Sequence, residues 1–249
     1  MLSMMTLCVW LAQPSLLAAS RPFEGDWRIT GIDHFDLAFR DGSDRDLARV
    51  AETAERAYRR VGASFSHELS LRPLIVMYRT QADVRQAIAS RSFPGNREHV
   101  LWTMDTPSAE ADGRFVHELT HVFVFDIAPE ASRQVPAWVQ EGLAEFQRGQ
   151  WTDADLETVR SLLNTGTFPS LENVPADDSP QALSVRTLVG HLAIDFLVSR
   201  AGVEAPRQLV TALRADAASA ARAYRAAVRL ASADLDREFV RFVRDRVAR

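Results

Sequence analysis

Two histidines one helical turn apart, with an acid between them, constrain this chain more than any other feature. The segment reads Phe115-Val116-His117-Glu118-Leu119-Thr120-His121. Four helical residues sweep about 400°, about 40° net, so His117 and His121 share one face. Phe115, Leu119, Val122 and Phe123 take the opposite side, and Val124 and Phe125 widen the apolar surface. Such a helix is buried nearly all round. Buried neutral imidazoles need partners, and one zinc ion at about 2.1 Å provides a partner for each. Glu118 is turned about 100° from His117. It would stand beside the ion without binding it, where a carboxylate can take a proton from an activated water.

A third ligand requires a chain reversal, and the sequence offers one. Pro129 interrupts any continuation of the histidine helix, and Pro136 can open a second helix, where a missing N–H costs nothing. The run Val135-Pro136-Ala137-Trp138-Val139-Gln140-Glu141-Gly142-Leu143-Ala144-Glu145-Phe146 then places Glu141 one to two turns in, facing the first helix. Gly142 permits close helix approach. Glu145 lies one turn further on the same face. It is placed to accept the second ring N–H of a ligand histidine, with His117 the expected one. Two His and one Glu leave a fourth position open, as catalytic sites do and structural sites do not.

Composition narrows the rest. The 249 residues are 47% apolar and 25% charged, enough for a sizeable core in one domain or two small ones. The net charge of −4 gives no sign of nucleic-acid binding. All 29 basic residues are Arg, which excludes phosphate-loop and Schiff-base lysine chemistry. The single cysteine, Cys8, lies in residues 1–20, a stretch without charge that ends in small residues. That stretch resembles an export signal, with an uncleaved anchor as the alternative. The expected location is therefore periplasmic or extracellular, with membrane contact only through residues 1–20.

Along the chain, Trp27 to Phe39 alternates partially and predicts a strand or hairpin arm. Ser43 to Val61 predicts a capped helix closed by Gly62. Leu71 to Tyr78 and His99 to Asp105 predict strands, with a helix from Thr80 to Ser90 between them. The second strand could form the sheet edge beside the cleft and receive an extended peptide. His34 and His99 have no ligand partner at metal spacing and read as structural. His67-Glu68-Leu69 lacks a second histidine four residues on. Thr152 with Asp155 caps a helix to Leu163, residues 167–181 form a proline-rich acidic connection, and helices follow over 182–200, 204–214, 216–230 and 233–248, the last capped by Ser232.

The motif His117-Glu118-Leu119-Thr120-His121, with Pro136 to Phe146 downstream, resembles the gluzincin zinc metallopeptidases, and among them the small bacterial peptidase MA-like domain proteins. The strong motif covers about 30 residues. The resemblance implies zinc held by His117, His121 and Glu141, Glu118 as general base, and Glu145 behind the ligands. It also implies an α+β zincin-like (thermolysin-like) fold. Residues 21–249 would be one peptidase domain, with an upper α/β lobe over about 21–126 and a lower helical lobe over about 127–249. The substrate class would be peptides or proteins. Trp102-Thr103-Met104-Asp105 does not match the Gly-Ala-Met-Glu-Asn-like strand of the aminopeptidase branch, which favours an endopeptidase.

One departure stands out. Gln181-Ala182-Leu183-Ser184 lacks the Tyr that relatives carry after the proline-rich loop, and gluzincins use a Tyr or His there to steady the oxyanion. His191, Arg186, Tyr78 and Tyr224 are the available substitutes, with His191 reading more readily as a core residue. The departure also keeps open a zinc-bound but inactive binding module of the cell envelope.

Overall fold

The alternating run from Trp27 folds into a hairpin of two short strands, β1 (Trp27–Gly31) and β2 (Asp36–Arg40), antiparallel from Trp27 opposite Arg40 to Gly31 opposite Asp36. The computed structural model describes residues 27–40, 44–78, 100–104, 109–129, 135–177, 179–215 and 220–248. The expectations for residues 1–20, for the Thr80–Ser90 helix, for His99 and for the Ser43 cap lie outside these. Strands β3 (Leu74–Tyr78) and β4 (Val100–Met104) complete a mixed sheet in the order β1-β2-β3-β4, with β2, β3 and β4 parallel. Among the described residues β4 pairs on one side only and is an edge.

Helix α1 (Asp44–Phe65) connects β2 to β3 and buries Val50, Ala54, Ala57 and Val61, the stripe expected from its period. It does not stop at Gly62. It runs on to Phe65, and the chain turns at Ser66 with φ 50°. Gly62 serves packing instead, since a Cβ there would stand 3.4 Å from the Phe123 ring and 3.1 Å from the His67 carbonyl. His34, in the β1–β2 turn, is tied to α1: its N–H donates to Glu55 (2.9 Å), its Nδ1 lies 2.6 Å from the same carboxylate, and its ring stacks on Tyr58. His67 is held by Asp126, which also accepts from Ser70. Both histidines fasten loops.

The other elements of the described residues are helices: α2 (Ala109–Ile127), α3 (Ala137–Arg148), α4 (Asp153–Asn164), α5 (Pro180–Ala201), α6 (Ala205–Ala215), α7 (Ala220–Val228) and α8 (Ser232–Val247). A small mixed sheet followed by helices is the α+β class expected. Thr152 and Asp155 form the reciprocal capping box at the start of α4. At α8 the cap position belongs to Ala231, without a side-chain bond, and Ser232 is the first helical residue. Pro136 likewise sits one position earlier than expected, as the residue before α3.

Helix α2 is central, with α1 on one side and α3 on the other. Helix α3 packs most extensively along α5. The reason is local: a Cβ on Gly142 would stand 2.3 Å from the Gly190 carbonyl oxygen, and one on Gly190 would stand 2.2 Å from that of Trp138. The two backbones touch there. The close helix approach expected at Gly142 is therefore to α5. Helix α5 is long and apolar enough to cross a membrane, yet it is a core helix, with Val189, Leu192, Ala193, Ile194 and Leu197 fully buried.

Alanine favours a helix over glycine by about 1 kcal/mol. At Gly142 or Gly190 the added methyl must instead push two backbones apart, at a cost of about 3 kcal/mol or more. Chemical denaturation of Gly142→Ala and Gly190→Ala is expected to show both destabilised. A gain in stability would contradict the contact.

Candidate metal centre

The helix that carries the histidines is buried because Phe115, Val116, Leu119, Val122 and Phe123 all pack into the core. Packing on both flanks fixes its rotation and turns His117 and His121 toward α3. Their Nε2 atoms approach to 3.2 Å. Helix α3 brings Glu141 opposite, with one carboxylate oxygen 3.6 Å from His117 Nε2 and the other 4.0 Å from His121 Nε2. His121 and Glu141 are buried, and His117 is nearly so. One donor atom from each of the three lies within 4.8 Å of the others, and this is a group that could hold a metal ion. Ligand atoms around a tetrahedral ion at about 2.1 Å lie roughly 3.4 Å from one another. The observed separations bracket that value, so the residues fit such an ion.

Glu145, one turn beyond Glu141, stands behind His117. Its Oε1 lies 2.8 Å from His117 Nδ1, with the carboxylate set off the line of the ring N–H. Glu145 thus stands beside the ring nitrogen at which it was expected, without an aligned N–H bond to it. Arg148 follows Glu145 by three residues, and its Nη1 reaches both carboxylate oxygens at 3.3 and 3.4 Å. Sequence reading passed over Arg148, although the three-residue spacing is a recognised helical pair. The C-terminus of α3 is closed by Gly149 in the left-handed conformation and by the Arg60 guanidinium of α1 on the Gln147 carbonyl. These contacts hold the end of α3 on which Glu145 sits. Glu118 is half-buried on α2, and its charge reaches both histidines.

Electrostatics separates the two histidines. Burial disfavours a charged His117, but the Glu145 contact and the charges of Glu118, Glu141 and Glu145 outweigh it and raise its pKa to about 9. Burial and the neighbouring His117 lower His121 to about 4. At neutral pH one proton is therefore shared in the place where the ion would sit: cationic His117 beside neutral His121. The carboxylates diverge as well. Burial raises Glu141 despite His117 and Arg186. Glu145 is lowered, because the His117 contact and the charges of His117, Arg148 and His191 exceed the effect of its burial.

The four candidates for steadying an oxyanion are dispersed. Tyr224 is buried against Trp138 and donates to the Ala193 carbonyl at 2.7 Å. Tyr78 packs edge-on to Trp27 at the sheet. His191 is buried and stacks on Trp151, with its pKa lowered by burial to about 4. Arg186 alone acts on a ligand, through its charge on Glu141. No protein-family model matches the sequence, and no curated protein matches it.

Binding of a divalent ion must displace the His117 proton. At pH 7, titration with zinc in buffers of different ionisation enthalpy is expected to show release of about one proton, falling away as pH rises through about 9. The same group sets a stability trend for the metal-free protein. Its folded pKa exceeds the ordinary 6.5, so its contribution is complete below pH 6.5 and is lost as pH rises through about 9. Zinc uptake at pH 7 without proton release would contradict this state.

Proposed function

We propose that the protein is an exported zinc metallopeptidase of the gluzincin type with a zincin-like fold, acting as an endopeptidase on peptides or proteins. The observation that carries this reading is the convergence of His117 Nε2, His121 Nε2 and the Glu141 carboxylate, with Glu145 behind His117. Two imidazoles and one carboxylate suit zinc and leave a coordination position open. The half-buried acid between the histidines adds the group that hydrolysis requires. The uncharged residues 1–20 support export.

Zinc held by these residues would supply Lewis-acid chemistry for the scissile carbonyl and for water near neutral pH. The chain's own groups do the rest. His117, His121 and Glu141 would hold the ion, and Glu145, 2.8 Å behind His117 Nδ1, would orient the ring. Glu118 takes a proton from the attacking water on its carboxylate and delivers it to the leaving nitrogen. An extended substrate would lie along the edge of β4 that is unpaired among the described residues, using main-chain hydrogen bonds for alignment.

Replacing Glu118 by Gln preserves shape and removes the base. Zinc content and melting temperature are expected to stay at wild-type values, while cleavage of a proteome-derived peptide library falls by about 10²–10⁴-fold. Undiminished cleavage by Glu118→Gln sinks the mechanism. Zinc-loaded wild type that cleaves nothing supports the envelope binding module instead.

A further inference from the structure

An arginine three residues after a glutamate on a helix usually makes a solvated pair of little consequence. Arg207 and Glu204 show this, with the acid 59% exposed. Arg148 and Glu145 have the same spacing, but the Glu145 side chain is 10% exposed and stands at the metal centre. Nη1 of Arg148 lies 3.3 Å from one carboxylate oxygen and 3.4 Å from the other, so one nitrogen bridges both. The bridge restricts rotation of the carboxylate about its last torsion.

The guanidinium is itself held in place. Its Nε is buried, and among the described residues it has no hydrogen-bond partner. It lies instead against Gly113 of α2: a Cβ there would stand 3.2 Å from Nε and 3.4 Å from Cγ of Arg148. Gly113 precedes His117 by four residues, one helical turn on the same face. The backbone that carries Arg148 is fixed from α1, where the Arg60 guanidinium donates to the Gln147 and Arg148 carbonyls. At the other end of the bridge, Glu145 Oε1 lies 2.8 Å from His117 Nδ1 without an aligned N–H bond. The ring therefore does not fix the carboxylate, and Arg148 does.

We propose that Arg148, seated on Gly113, is a positioning residue of the metal centre: it holds the Glu145 carboxylate beside His117 Nδ1 and through it sets the orientation of a ligand imidazole. This role rests on the metal-centre reading given above. Removing a group behind a metal ligand commonly costs about 10–100-fold in affinity. Arginine suits the task, because its planar group packs against a glycine while one nitrogen straddles a carboxylate.

The test uses the full chain, with Co²⁺ as the metal probe. Arg148→Met is expected to raise the Co²⁺ dissociation constant about tenfold and to shift the visible cobalt bands. In the Glu145→Gln background, where the carboxylate is already gone, the same substitution should change the constant by less than about twofold. Gly113→Ala adds helix propensity, so a loss of about threefold in Co²⁺ affinity with the fold intact separates a displaced guanidinium from a weakened helix. If Arg148→Met does not fold, Arg148→Gln replaces it with the same expectations. Unchanged affinity and spectrum in Arg148→Met overturn the positioning. Equal losses in both backgrounds overturn action through Glu145, and unchanged affinity in Gly113→Ala overturns the seat. Crystals of metal-free Arg148→Met should show the Glu145 carboxylate turned away from His117 Nδ1, and an unmoved carboxylate also overturns the positioning. Wild type that binds no Co²⁺ overturns the metal centre itself, while the metal-free crystals still decide whether Arg148 holds the carboxylate.

Discussion

The contact between the backbones of Gly142 and Gly190 is the constraint on which the site depends. It lets α3 lie close along α5, and α3 is in turn pressed against α2. Side chains at the crossing would hold the helices apart and move Glu141 and Glu145 together, since both are rigidly carried on α3. Ligand donors that must agree to within a few tenths of an ångström cannot tolerate such a shift. Two residues without side chains thereby set the position of two carboxylates. Arg60 and Gly149 fix the far end of the same helix.

The cost of the arrangement is electrostatic. Glu141, Glu145 and both histidines are buried or nearly so, a grouping that is unstable unless charges are matched. Without an ion, matching is achieved by a proton on His117, by Arg148 on Glu145, and by Arg186 acting on Glu141. A divalent ion bound there would do the same work more completely, because it would satisfy three donors from one point. The crowding of carboxylates and imidazoles at one buried place is the physical reason that the pKa values of otherwise similar groups are driven apart.

Much of this was legible in the sequence because it rests on helical spacing. The four-residue interval of the histidines, the position of Glu141 five residues after Pro136, and the further turn to Glu145 all follow from a fixed 3.6-residue period. The α+β class was also legible, from short alternating runs followed by long amphipathic ones. Beyond the facing of Glu141 on the histidine helix, what escaped depends on which helix meets which. Gly142 announces a close approach but not its partner, and Gly190 inside an apolar helix is the matching signal, readable only as a pair. Gly62 looked like a helix terminator because a glycine after an apolar period usually is one. Here the need for space against Phe123 prevailed. Arg186 could not be recognised as buried, since its surroundings are assembled from residues far apart in the chain.

The central claim is that His117, His121 and Glu141 hold one zinc ion. Anomalous diffraction from crystals of the full chain grown with stoichiometric zinc, collected on both sides of the zinc absorption edge, tests it most directly. One dominant peak is expected, bonded to Nε2 of both histidines and to the Glu141 carboxylate and lost in His121→Ala. A zinc peak elsewhere, with these three side chains unligated, would contradict it.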